Sequence, residues 1–205
     1  MRLREIRLFG RSKGRVSNSS ASSAVLGTKS EGEFVGRLVR DKIILSDSNS
    51  FSLNTKSVFG TVVGGVRKRL ELSLVEGLYL VDRGVIKVKK GDRTLSFEEL
   101  FELASSLEHN FWVRYSVFRV LRDVGYIVKT ALKYGADFRV YDKGIKPKEE
   151  HARWILYCVS ENDVLSWREF ASKMRVAHST KKKLLIGVVD DEGDVTFYEV
   201  GWMRA

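Results

Sequence analysis

The chain of 205 residues has little of what metal centres and crosslinked folds are built from: one cysteine, three histidines and a single proline. A lone thiol, Cys158, permits no internal disulfide and cannot build a thiolate zinc cluster. His109, His151 and His178 are widely spread and form no HxxxH or HxH pair. No lysine has an acid two positions before it, so the Glu-x-Lys or Asp-x-Lys pattern that often accompanies Mg²⁺ in nucleases is missing. There is no phosphate-binding glycine loop and no G-x-S-x-G elbow. No apolar run approaches the about 18 residues of a membrane span, and the arginines from Arg2 to Arg11 do not lead into a signal-peptide core. A cytoplasmic chain without metal or cofactor is expected, and no membrane partner.

What the chain does have is positive charge. Its 36 Lys and Arg outnumber 26 Asp and Glu, for a net charge of +10 and a sequence pI near 9.7. Nucleic acid is the first partner such a balance suggests, although a generally basic proteome gives the same balance. Hydrophobic residues make up 43%, enough for one large domain or two small ones that need no staples. Residues 1–30 hold seven Lys or Arg against one acid, Glu5. Between Arg15 and Lys29 the chain is rich in Ser and Gly and cannot bury a core, so it reads as a flexible insertion after a short strand, Leu3 to Phe9.

From residue 34 the pattern is regular. Phe34–Val39 and Lys42–Leu45 read as strands joined by Arg40 and Asp41. Residues 46–70 are polar and Gly-rich and end in Arg67-Lys68-Arg69. Three capping boxes, Ser73 with Glu76, Ser96 with Glu99 and Ser166 with Glu169, predict helices that end near Gly84, Leu107 and Ser179. A strand follows the first, over Val85–Val88. Val113, Val117, Val120, Leu121 and Val124 recur at helical spacing over 111–124, with Gly125 as the stop. Tyr126–Tyr134, Ala136–Tyr141 and His151–Val159 read as strands, and Leu184–Val189 with Val195–Val200 as a hairpin. The expected fold class is mixed α/β. A basic N-terminal segment (1–33) would precede a small N-terminal mixed α/β domain (34–108) and a C-terminal domain (109–205).

The chemistry still open to such a chain is metal-free acid–base catalysis. Internal RNA cleavage needs a base for the 2′-hydroxyl, an acid for the 5′-oxygen and a cation for the charge that develops on phosphorus. Tyr141 ends a strand, His151 follows across a basic loop, and Lys182 begins another strand. Singly, each has an ordinary explanation: a core tyrosine, a structural histidine, a solvated lysine. The turn acids Asp190, Asp191, Glu192 and Asp194 read most simply as solvated.

The wording around these residues carries more. Gly125-Tyr126-Ile127-Val128-Lys129, the run from Lys133-Tyr134-Gly135-Ala136 to Tyr141, Glu150-His151, and Arg175-Val176-Ala177-His178-Ser179-Thr180-Lys181-Lys182 occur in order. With Val189-Asp190 and Gly193-Asp194 they closely resemble the catalytic half of the archaeal tRNA-splicing endonucleases. Leu72-Ser73-Leu74-Val75-Glu76, Leu78-Tyr79-Leu80 and Leu95 to Leu100 resemble that family's N-terminal domain. The likeness spans about 34–205. Residues 1–33 and the stretch near Thr55–Arg69 have no counterpart.

The resemblance implies a C-terminal nuclease domain with a mixed sheet flanked by helices, and a triad of Tyr141 as general base, His151 as general acid and Lys182 as stabiliser. It implies cleavage of precursor tRNA at bulge–helix–bulge junctions, leaving a 2′,3′-cyclic phosphate and a 5′-hydroxyl without a metal. A free tyrosine is only about 0.1% ionised at neutral pH, so a tyrosine base needs roughly 4 kcal/mol of help from its surroundings. Histidine suits the acid role. Arg175 matches an arginine that stacks on a bulged base, against the plainer reading of a surface arginine. Asp190, Glu192 and Asp194 match a loop that docks into a basic cleft of a neighbouring subunit. A single copy of the two-domain unit implies a homotetramer or, given the unmatched segments, a heterotetramer with a second subunit (α2β2). A noncatalytic subunit of the same enzyme and a non-cutting RNA-binding module are the rival readings. The unmatched cations, from Arg2 to Arg15 and at Arg67 to Arg69, are either backbone contacts for RNA or charge that serves solubility.

Overall fold

A computed structural model describes residues 3–5, 34–145, 147 and 150–201. In chain order the elements are β1 (Leu3–Glu5), β2 (Phe34–Val39), β3 (Lys42–Leu45), α1 (Ser52–Thr55), β4 (Thr61–Val63), β5 (Arg69–Ser73) and α2 (Leu74–Asp82). Then come β6 (Ile86–Lys90), β7 (Arg93–Leu95), α3 (Phe97–Leu107), α4 (Phe111–Asp123), β8 (Ile127–Ala131) and β9 (Ala136–Tyr141). The chain continues through β10 (Trp154–Ser160), α5 (Trp167–Ser179), β11 (Lys183–Val189) and β12 (Val195–Val200). One compact unit lies within residues 23–115, and the other joins β1 to residues 116–205. Both are mixed α/β, as the alternation of patterns predicts.

In the first unit the sheet order is β4-β5-β3-β2-β6-β7. Alternate residues Ile43, Leu45, Leu70, Leu72, Ile86 and Val88 are buried, together with Leu74, Leu78 and Leu80 of α2. Gly77 is what allows α2 to approach so closely, because a Cβ there would stand 2.0 Å from Ile43 Cδ1. The capping box forms as expected: Ser73 Oγ accepts from the Glu76 amide, and the Glu76 carboxylate accepts from the Ser73 amide. That carboxylate is nearly buried and also accepts from the Gly60 amide at 2.9 Å. Residues 46–70 hold more structure than their composition suggests. A 3₁₀ turn (Ser48–Phe51), α1 and the β4–β5 hairpin fill them, and Phe59 is buried against Tyr79. A three-residue strand is too short to show alternation, which is why β4 and β7 leave no trace in the pattern.

In the second unit the order is β1-β12-β11-β10-β9-β8, antiparallel except for β10 beside β11. Phe118 of α4 packs on Phe138, and Val117 sits so close to Gly187 that a Cβ there would meet it at 3.1 Å. Ala177 of α5 packs with Ile155, Tyr157, Leu184 and Ile186. The strand expected over His151–Val159 starts at Trp154, because Arg153 is the first residue of this stretch to bond β9. Of the strand expected over Leu3–Phe9, Leu3–Glu5 forms and pairs with β12; residues 6–9 and the Arg15–Lys29 stretch lie outside the described residues. Glu76→Ala should cost about 2 to 4 kcal/mol in denaturant unfolding, since it breaks the capping box and strands the buried amide of Gly60 and the half-buried amide of Ser73.

Candidate active site

Three neighbouring strands bring the candidate triad to one end of a sheet. Trp154 of β10 stands opposite Val140 of β9 and Lys183 of β11. The Arg153 amide donates to Val140 O at 2.9 Å and the Lys183 amide to Arg153 O at 3.0 Å. Tyr141, Arg153 and Lys182 therefore continue one row across the strands, with His151 two residues before Arg153. Tyr141 is 4% exposed. His151 is exposed and Lys182 half-buried.

Lys182 is placed by the way α5 stops. The Lys181 amide donates to His178 O and the Lys182 amide to Ala177 O, with Lys181 at φ +55°. That is a Schellman stop with a lysine in the left-handed position where glycine is usual. The Lys182 ammonium donates back to Thr180 O at 2.9 Å, and the Thr180 hydroxyl donates to Val176 O.

A clamp that sequence reasoning passed over lies beside these residues. The Arg153 guanidinium pairs with both Asp142 oxygens at 3.2 and 3.3 Å and lies 4.5 Å above the Trp154 ring. Trp154 Nε1 donates to Glu199 at 2.7 Å, and Lys183 Nζ donates to the other Glu199 oxygen at 2.6 Å. Asp142 follows Tyr141 and Lys183 follows Lys182, so the clamp grips the backbone next to each. Its one sequence signal is the lone acid in the apolar strand Val195–Val200. Tyr126 edges onto Trp154. Burial, with Asp142 nearby, raises the Tyr126 phenol above its ordinary value against the pull of Arg153, and this keeps that ring neutral.

Arg175 and His178 are exposed on α5. In the β11–β12 turn, Asp190 Oδ1 accepts from the amides of Glu192 at 3.1 Å and Asp194 at 2.8 Å. Its carboxylate thus shapes the turn, while Glu192 and Asp194 stay exposed. Asp191 is tied to Asn162 and Glu161. Arg67, Lys68 and Arg69 are exposed at the turn into β5; the cations from Arg7 to Arg15 lie outside the described residues. Among the described residues, no three His, Cys, Asp or Glu side chains converge to hold a metal ion, and no helix is long and apolar enough to cross a membrane.

Comparison with known proteins places both halves of the chain in one family. The family described as tRNA intron endonuclease, catalytic C-terminal domain, matches residues 111–197, and tRNA intron endonuclease, N-terminal domain, matches 34–101. The tRNA-splicing endonuclease of Thermococcus onnurineus is 42% identical over 168 residues, 78% of this chain and 95% of that protein. That of Methanothermobacter thermautotrophicus is 41% identical over 166 residues, with 80% and 95% covered. The Nanoarchaeum equitans protein of the same name is 47% identical over 140 residues, 65% of this chain and 90% of its own length. The chain belongs to the tRNA intron endonuclease family, whose named members are splicing enzymes.

Glu199 makes the clamp sensitive to acid. Burial pushes its carboxyl pKa up, but hydrogen bonds from Lys183 and Trp154, with the charges of Lys183 and Arg153, outweigh burial and hold it below the ordinary 4.5. A depressed carboxyl stabilises the fold above its unfolded value and stops doing so as pH falls through the folded value. Glu199→Gln should lower stability by about 1 to 2 kcal/mol at neutral pH. In melts run across pH, that gap to the parent should close below about pH 4.5.

Proposed function

We propose that this chain is the catalytic subunit of an endonuclease that excises introns from precursor tRNA by metal-independent acid–base chemistry. The observation that carries the reading is the shared sheet end to which β9, β10 and β11 deliver Tyr141, His151 and Lys182. Tyr141 takes the proton of the 2′-hydroxyl, whose oxygen attacks the adjacent phosphorus. His151 protonates the departing 5′-oxygen, and Lys182 stabilises the negative charge that builds up on the phosphorane. The products are a 2′,3′-cyclic phosphate and a 5′-hydroxyl. These proton transfers close without a metal ion. In-line attack requires a flexible nucleotide, which suits the unpaired residues of a bulge–helix–bulge junction, and the exposure of Arg175 on α5 supports a role for it in stacking on a bulged base. A noncatalytic subunit would have no use for all three residues, and all three are present.

His151→Ala should lower single-turnover cleavage of precursor tRNA by about 10²–10⁴-fold with little change in RNA affinity, in buffer containing EDTA. His178→Ala is the comparison. Equal loss of binding and cutting in the first variant would make His151 structural, and selective loss of cutting in the second would move the acid role to His178.

Two junctions per intron call for two active sites. The reading extends to an assembly of four subunits, a heterotetramer with a second, noncatalytic chain in preference to a homotetramer. The acidic β11–β12 turn (Asp190, Glu192, Asp194) supplies the dock. Asp190 holds the turn in shape from within, which leaves Glu192 and Asp194 to meet a cationic surface. Glu192→Gln with Asp194→Asn should therefore reduce the sedimenting mass while the chain's melting temperature stays within a few degrees. Unchanged mass would remove the docking role.

A further inference from the structure

The sheet of the first unit has two unlike faces. One is sealed by α2. The other follows from the register: Arg37 stands opposite Lys89, and Val35 opposite Lys87, across the parallel β2–β6 pair. Across β2–β3, Arg37 stands opposite Ile44 and Val39 opposite Lys42. The middle row runs on through Glu71 to Thr61 on one side and to Thr94 on the other. Val35 and Val39 are 47% and 48% exposed, so no described element of the unit covers this face.

Its charges are unbalanced. Glu71, the acid in the row, accepts from Arg69 at 2.9 Å, and Asp41 lies 4.0 Å from Lys42 at the β2–β3 turn. Neither Arg37 nor Lys89 has an acidic partner among the described residues. Neighbouring strands lie about 4.8 Å apart, and like charges directly opposite each other cost a sheet stability. A threonine or valine at either position would suit the fold better. The face is thus built at some expense to the unit, and its chemistry is complementary to a polyanion.

We infer that the open face of β2, β3 and β6, centred on Arg37 and Lys89 with Lys42 and Lys87 at its margins, holds the sugar–phosphate backbone of the RNA substrate. The inference rests on the RNA-cutting reading but involves none of the triad. Lysine and arginine contacts to phosphate position an RNA without reading its sequence. They leave a signature in salt: each contact adds about 0.7–0.9 to the log–log slope of affinity against salt.

The test uses the assembled enzyme with Arg37→Gln and Lys89→Gln together, and a charge-keeping control with Arg37→Lys and Lys89→Arg. Affinity for catalytically blocked precursor tRNA, carrying 2′-deoxy at the cut sites, is measured over a salt series. Cleavage of unmodified precursor is measured at saturating enzyme. The expected result is a slope flattened by about 1.5 in the glutamine variant, weaker binding at low salt, an unchanged cleavage rate at saturation, and a melting temperature at or above the parent's. The control keeps the parent's slope. A slope and affinity equal to the parent's in the glutamine variant would overturn the inference. So would a loss of assembly mass, which would assign the face to an acidic protein partner, or a fall in melting temperature without a change in slope. Should the parent fail to cut precursor tRNA, the cutting reading falls by itself, and the same slope comparison on an unrelated RNA duplex still decides the use of the face.

Discussion

The site depends on the parallel pairing of β10 with β11. Parallel neighbours cannot be joined by a tight turn, so the chain must cross over the sheet before it returns. Here α5 makes that crossing, and both its ends are defined by local bonds. Ser166 and Glu169 cap its start, and the Lys181 stop ends it. The length between those two ends determines which residue enters β11 first, and so brings Lys182 beside the start of β10, where β9 ends. A slip of one residue would turn every side chain of β11 to the opposite face. It would move Leu184 and Ile186 from the side packed on Ala177 to the side of Gly187, where Val117 leaves no room for a side chain, and would turn Lys182 with them. The same apolar packing that stabilises the sheet therefore sets the position of Lys182.

The clamp on the neighbouring residues adds a second constraint of a different kind. Apolar packing selects a face but tolerates small sliding, whereas the Glu199 carboxylate receives one donor from β10 and one from β11. Two directional bonds to one rigid group hold the strands in relation to each other at the end that carries the candidate triad. Arg153 extends this to β9 through Asp142. On the proposed mechanism, aligning an attacking and a leaving oxygen on phosphorus gains from such stiffness, because productive geometry tolerates only small displacements.

Local signals were readable in the amino-acid pattern and long-range ones were not. The three capping boxes are found where their Ser and Glu residues predict, because the bonds involved span three positions. Gly84 and Gly125 mark the ends of α2 and α4 with positive φ, again a local matter. By contrast, the Trp154–Glu199 bond joins residues 45 apart, and only the order of strands brings them together. Nothing in the spacing of Tyr141, His151 and Lys182 announces that their strands are neighbours. The likeness to a family suggested the trio, and the sheet order puts the strand ends beside them in one row. The short strands β4 and β7 escaped notice because they are edges of three residues, with too few positions to alternate.

The pairing of β1 with β12 has a consequence for how the catalytic unit can be divided. Leu3, Arg4 and Glu5 lie opposite Val200, Glu199 and Tyr198, so the outer edge of β12 is covered by residues from the far end of the chain. A fragment that starts at residue 109 would contain every candidate catalytic side chain and still be incomplete. The backbone of β12, including the residue that holds the clamp, would then offer open hydrogen-bonding groups to any passing strand. Self-association of such a fragment would follow from that bare edge and not from any natural interface. Leu3–Glu5 thus belongs to the same sheet as the candidate triad, although more than a hundred residues of chain lie between them.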